Sequence, residues 1–431
     1  MHLLGFLLLA LAYLWPLVLH PNFYPIRPSD PLSDFLFTHL PNAEYVRESL
    51  GRYGQWPLWN AQILAGQPFA ADPLSGLWYP PNLLLYVLPL PLAFSLLLAL
   101  HLAWAGWGTF RFLRVERLGP AAAFFGGLAF CGTPKLIAHL GAGHVSFVFA
   151  ASWTPWTLLA MREAARAGGY KRGALAGAAL ALVWLADPRW AFYSGWLGGA
   201  YWIARSARHL FRRETIGAIG VALIMFLALG AILTVPMLEF VSLSGRRALT
   251  LAQAASYSLP WYPYVLGLAV PIYGVIHEWV TYAGIVTLLL TFLSLSRRAL
   301  FWIAAALVAG AFALGSNFFL FPLIYRILPG LSLLRVPARA WLLVAFCLCV
   351  LAGHGMQVLL DDILPRLRDA AKFPLLARFM PPARLLYAAL SLVTVIDLLR
   401  MNASELTARP LPEPNPAAQW IAAQPGLFRV Y

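Results

Sequence analysis

"LPLAFSLLLALHLAWAGWGTFRFLRVERLGPAAAFFGGLAFCGTPKLIAH", residues 90–139, holds two apolar runs of about twenty residues on either side of a short basic loop. Residues 90–110 and 120–139 are each long enough to cross a bilayer as a helix. Between them lie Arg111, Arg114 and Arg117, with Glu116 among them. A membrane span, a cationic turn and a second span form the unit from which the chain is built.

The composition extends that reading to all 431 residues. The chain is 61% hydrophobic and 11% charged, and its mean hydropathy is +0.72. Soluble domains carry roughly 25% charged residues, so this is an integral membrane protein. Apolar runs fall near 3–19, 90–110, 120–139, 145–161, 173–187, 190–204, 216–238, 280–296, 300–315, 338–359 and 384–400. They predict an all-α polytopic protein with about eleven transmembrane helices. The run 259–274 is interrupted by prolines and reads as re-entrant or interfacial. The first run lacks a basic flank and a small-residue cleavage site, so it reads as a retained helix. Cys131, Cys347 and Cys349 lie in apolar stretches and behave as small buried hydrophobes.

Orientation follows from the cations. With a cytoplasmic N-terminus, the clusters 111–117, 162–172, 205–213, 297–298 and 366–384 all fall inside. The net charge of +14 is thereby a topology signal and not a nucleic-acid footprint. An odd number of spans leaves the C-terminus outside. Asp30, Asp34, Asp187, Glu239 and Glu278 then sit outside, near span ends, where ionisable groups are costly and usually functional.

The first outer loop, residues 20–82, reads as two short interfacial helices. Asp30 caps the first, Pro31 opens it, and Pro41 separates it from "NAEYVRESL", which stops at Gly51. The transmembrane unit spans 1–401. Residues 402–431 read as the start of an outer C-terminal segment, too short to bury a core of its own.

A first span followed by an outer acid and interfacial helices resembles the GT-C glycosyltransferase architecture. More narrowly, "SDPLSDFL", "PLWNAQILAGQPFAADPLSGLWYPPNLL", "LADPRWAFYSG", "VPMLEF", "YSLPWYPYVLGLAVPIYG", "EWVTYAGIVTLLL" and "LPGLSLLRVPARAWLLVAFCLCVLAG" resemble the bacterial YfhO family of membrane proteins. The resemblance runs from about residue 28 to the end. It implies a plasma-membrane enzyme that glycosylates a cell-envelope acceptor, a lipid, glycan or teichoic-acid-like polymer, from a polyprenyl-phosphate sugar. The family's catalytic acid falls on Asp30, and the Asp34 position is commonly glutamine there. Where the family tends to have His-Pro-Gln, this chain has Asp187-Pro188-Arg189.

The chemistry needs a carboxylate to take the acceptor's proton and fixed cations to hold the departing phosphate. Asp30 is the expected base, assisted by Asp34. Arg189, Arg246, Arg247, Arg335, Arg339 and Lys135 are the expected phosphate ligands, since arginine forks match phosphate oxygens. Arg335 and Arg339 are four apart, on one side of a span entrance if helical. Asp187, Glu239, Glu278 and His39 are supporting residues, Glu278 most simply as half of an ion pair. His39, His139 and His144 show no H-x-x-H or H-E-x-x-H spacing, so no metal is assigned, and metal dependence is left open. The expected partners are membrane lipids, the lipid-linked donor and the acceptor. Two other classes compete: a flippase for a lipid-linked glycan, which broken repeats at mid-membrane would favour, and a non-catalytic envelope-assembly scaffold.

Overall fold

The computed structural model describes residues 2–29, 33–63, 65–244, 248–296, 298–328, 330–369, 382–413 and 416–424. The protein is nearly all-α. Among the described residues five helical segments are long and apolar enough to cross a membrane: Leu90–Val115, Pro120–Gly141, Arg213–Ser242, Pro337–Leu367 and Ala383–Asn402. His2–Tyr13 and Leu300–Ala313 are shorter apolar helices.

Pro337–Leu367 lies at the centre of the bundle beside Pro120–Gly141, whose apolar window is 89% buried. Its own apolar window is 83% buried, whereas that of Arg213–Ser242 is 22% buried and faces outward. A helix apolar on all sides must be surrounded, either by protein or by lipid. Helix Trp341–Val358 takes the first option, packing against Pro120–Cys131, Ile285–Leu293 and Leu300–Ala313. Cys131, Cys347 and Cys349 are free and buried there, as expected of small hydrophobes.

Several expected spans are not single helices. Segment 3–19 divides into His2–Tyr13 and Trp15–Leu19, because Pro16 cannot donate a helical hydrogen bond. Segment 145–161 divides at Trp153 into Val145–Ser152 and Thr154–Ala167, with Pro155 opening the second piece. In 280–296 only Ile285–Leu293 is helical. Asp397, from Ala383–Asn402, accepts the Ile285 amide at 3.0 Å and sets that start. The proline-broken run 259–274 holds one short helix, Trp261–Val265, and does not span.

The first loop differs from its expected pair of helices. Phe35–His39 is a π-helical turn that runs straight into Leu40–Tyr53. Pro41 does not interrupt, because it falls where the π-turn passes into the α-helix, and the Leu40 amide before it still reaches the Phe35 carbonyl. The helix passes Gly51 and stops at Gly54, whose φ of 61° gives a left-handed cap. Phe35 pins this loop to the bundle edge-on against Phe94, with ring centroids 4.8 Å apart. Near the other end of the chain, Thr407–Arg409 pairs antiparallel with Tyr24–Ile26. Beside this ribbon Arg27 and Glu405, both buried, form an ion pair at 2.7 Å.

Ionic groups gather at both ends of the Pro120–Gly141 span. Just before its start, Glu116 accepts from Arg162 Nε at 2.6 Å and from Tyr201 at 2.8 Å, and pairs with Arg205. At its far end lie His139 and the groups described next. The span has 22 residues and is about 33 Å long at 1.5 Å per residue, close to the hydrocarbon thickness of a bilayer.

Candidate functional site

Helix Pro134–Gly141 ends in the sequence Gly141-Ala142-Gly143-His144, and that turn builds the site. Gly143 has φ +85°, and a Cβ there would stand 2.2 Å from the Phe35 nitrogen and 2.5 Å from Ser33 Oγ. Only glycine allows so close an approach. The segment 33–35 therefore lies directly on the turn, and the Asp34 amide donates to the Ala142 carbonyl at 3.1 Å. That contact puts Asp34 Oδ2 3.1 Å from His144 Nε2. His144 Nδ1 in turn lies 2.9 Å from His139 Nδ1.

A second wall comes from the turn His277–Trp279. Lys135, fully buried, donates to the backbone carbonyls of His277 and Glu278 and ties this turn to helix Pro134–Gly141. Glu278 Oε1 accepts from Arg339 Nε at 2.9 Å. Its Oε2 faces His139 Nε2 at 3.5 Å, and neither atom has a hydrogen-bond partner. Arg339 also lies over the Phe147 ring, 5.8 Å from its centroid.

A third wall starts helix Pro188–Ser206. Asp187 is its N-cap, accepting the Arg189 amide at 2.9 Å, and the Arg189 guanidinium folds back onto the same carboxylate at 2.9 and 2.6 Å. Ser146 Oγ donates to Asp187 Oδ2 at 3.3 Å. Asp34, Asp187 and Glu278 are thus balanced by Lys135, Arg189 and Arg339, a neutral set in a region where isolated charge would be costly.

The environments divide the titratable groups. The His144 hydrogen bond, aided by His39 and Arg189 nearby, holds the Asp34 carboxyl below the usual carboxylate range. Burial pushes His144 down to about 4, against the pull of Asp34. Burial also lowers His39 to about 4, with His144 and Arg189 adding to it. Burial raises the Glu278 carboxyl, yet Arg339 and then His139 outweigh it and hold it well below the usual range. At neutral pH these histidines are neutral beside ionised carboxylates. Asp34 alone among the three acids is open to solvent, its side chain 64% exposed against 1% for Asp187 and 3% for Glu278.

Beside this cluster an apolar groove of about 560 Å³ runs between Pro188–Ser206, Leu300–Ala313 and Leu320–Ile327. Tyr193, Trp196, Phe312, Ile324 and Leu343 line it, as does Ala340, the residue after Arg339. Tyr193 is on the same helix as Arg189, and Ala340 follows Arg339, so two lining residues tie the groove to the cluster.

Of the expected site residues, Asp34, His39, Lys135, Asp187, Arg189, Glu278 and Arg339 come together here. Asp30, Arg246 and Arg247 lie outside the described residues. Glu239 is exposed near the end of Arg213–Ser242 and makes no ion pair among the described residues. Arg335 and Arg339 do not share a helical face. Val336 between them has φ +67°, a strained conformation for a β-branched residue, which leaves Arg335 exposed and sends Arg339 inward. Lys135, fully buried, spends two of its N–H donors on the His277 and Glu278 carbonyls. His277 and Ser146 were not anticipated. The only local signal for the turn is the paired glycines before His144.

No family model matches the chain, and no curated protein matches it.

Proposed function

We propose that the protein is an inverting glycosyltransferase of the GT-C type, akin to the YfhO family, with about eleven spans. It moves a sugar from a polyprenyl-phosphate carrier to a cell-envelope acceptor on the outer face of the plasma membrane. The observation that carries this reading is the adjacency of the Asp34–Asp187–Arg189–Glu278–Arg339 cluster and the apolar groove. A polyprenyl-phosphate sugar has the same two halves, an apolar chain and an anionic head. The groove, lined by aromatic and small residues, suits the chain by close van der Waals contact.

Arg189, partly exposed, is the cation best placed to meet the phosphate, and Arg335, exposed and four residues before Arg339, is the second candidate. Arg339 and Lys135 hold the walls in place. Asp30 takes the proton from the acceptor hydroxyl, and Asp34, four residues on, fixes the local field through His144. General-base assistance of this kind is worth about 10²–10⁴ in rate.

The test is transfer from a radiolabelled polyprenyl-phosphate sugar by the purified protein in lipid vesicles, with an envelope fraction as acceptor. Asp30→Asn should lose about 10²-fold or more while remaining folded. Undiminished transfer by that variant removes Asp30 as the base. Transfer absent from the wild type with every donor sugar tried would favour the flippase or scaffold readings.

A further inference from the structure

We infer that His139, His144, His277 and Glu278 form a binding site for one divalent metal of the zinc class, and that the metal clamps the 277–279 turn onto helix Pro134–Gly141. This does not rest on the transferase reading.

The first ground is the donor set. One ligand atom from each of these four residues lies within 4.8 Å of all the others. Three imidazoles and a carboxylate are the nitrogen-rich, borderline-soft set that zinc takes, and four protein ligands make a closed, structural site.

The second ground is a hydrogen-bond count that closes only with a positive centre, a metal or an added proton, between two buried acceptors. His144 Nε2–H donates to the Asp34 carboxylate, so the neutral ring offers a lone pair at Nδ1. The 2.9 Å contact between the two Nδ1 atoms then requires the proton to be on His139. His139 Nε2 is left with a lone pair that points at the lone pairs of Glu278 Oε2. Both atoms are buried and neither has a partner. Two acceptors facing one another at 3.5 Å repel unless something positive lies between them. With metal–ligand bonds near 2.1 Å, that 3.5 Å separation subtends about 113° at a bridging ion, close to the tetrahedral angle.

The third ground is the surrounding shell. A metal-bound histidine usually gives its other N–H to a carboxylate, and a metal-bound carboxylate is itself held by hydrogen bonds. Asp34 stands on the far nitrogen of His144, and Arg339 holds Glu278 Oε1 so that Oε2 turns inward. Binding at His139 Nε2 and His144 Nδ1 takes the lone pair that accepts the His139 Nδ1–H, so that hydrogen bond breaks and the His139 N–H turns to another acceptor.

The experiment uses the untagged full chain in detergent, stripped with chelator, incubated with zinc chloride alone and desalted. Elemental analysis should find about one zinc per chain. Cobalt(II) in its place should give the visible absorption of a tetrahedral site. His277→Gln, at the rim of the cluster, and Asp34→Asn should each weaken zinc affinity about 10–100-fold, with unchanged elution and helical content. A wild type that retains no zinc and gives no tetrahedral cobalt spectrum overturns the inference, and a shared proton then bridges His139 and Glu278. Equal zinc retention by wild type and by Glu278→Gln or His277→Gln also overturns it, by placing the metal elsewhere.

Discussion

Replacing Glu278 with glutamine tests the way the site is held together. The wild-type carboxylate is 3% exposed and faces an Arg339 side chain 8% exposed, 2.9 Å away. Glutamine keeps the volume and one acceptor but removes the charge, leaving a guanidinium buried without its anion. Breaking a buried pair from one side costs about 3–5 kcal/mol. The remaining neutral hydrogen bond and the Phe147 ring beneath Arg339 argue for the lower end, about 3 kcal/mol, or roughly 150-fold in the folding equilibrium. Equilibrium unfolding in mixed detergent micelles, followed by tryptophan fluorescence with chelator present, measures it. Arg339→Gln should cost a similar amount, and the double variant should cost much less than the sum, with a coupling of about 2 kcal/mol. Single variants within about 0.5 kcal/mol of wild type, with no coupling, would show that the pair does not organise the turn.

Three further outcomes follow from the same geometry. Gly143→Ala should lift residues 33–35 off the turn, because the new Cβ would meet the Phe35 nitrogen at 2.2 Å. A loss of about 1–3 kcal/mol and faster proteolysis near Asp34 are expected, and a variant as stable and as resistant as wild type would refute the close packing. Asp187→Ala removes both the cap of Pro188–Ser206 and the partner of Arg189. It should cost at least the 1 kcal/mol typical of a lost cap, read by the same unfolding assay. If the proposed transferase reading holds, Arg335→Ala, at an exposed position, should raise the apparent KM for a polyprenyl-phosphate donor several-fold, whereas an unchanged KM removes Arg335 from the donor's path.

The long spans around residues 90–139 are legible because twenty apolar residues have few other folds in a bilayer. The breaks are less so. Pro41 sits harmlessly where a π-turn passes into an α-helix, while Pro16 and Pro155 follow breaks between helices; the residue type alone does not say which role it takes. The start of Ile285–Leu293 depends on Asp397, which is 112 positions away. The same distinction governs the site. Asp34, Asp187 and Glu278 stand out because acids at span ends are rare. Arg189 is only two positions from Asp187, but other partners come from remote segments: Arg339 is 61 positions from Glu278, and Lys135 is 142 from His277. The histidine group escapes any spacing rule because its members come from one turn and from a loop more than a hundred residues on. Arg335 and Arg339, spaced for one helical face, are separated by the left-handed backbone at Val336, which sequence periodicity does not foresee.

The central claim is that the protein adds a sugar to the cell envelope. Mass spectrometry of envelope polymers and lipids tests it most directly, in cells lacking the protein and in cells supplied with the wild type or with Asp30→Asn. The account predicts that one glycosyl substituent disappears without the protein, returns with the wild type and stays absent with Asp30→Asn. An envelope whose glycans are the same in all three strains would contradict it.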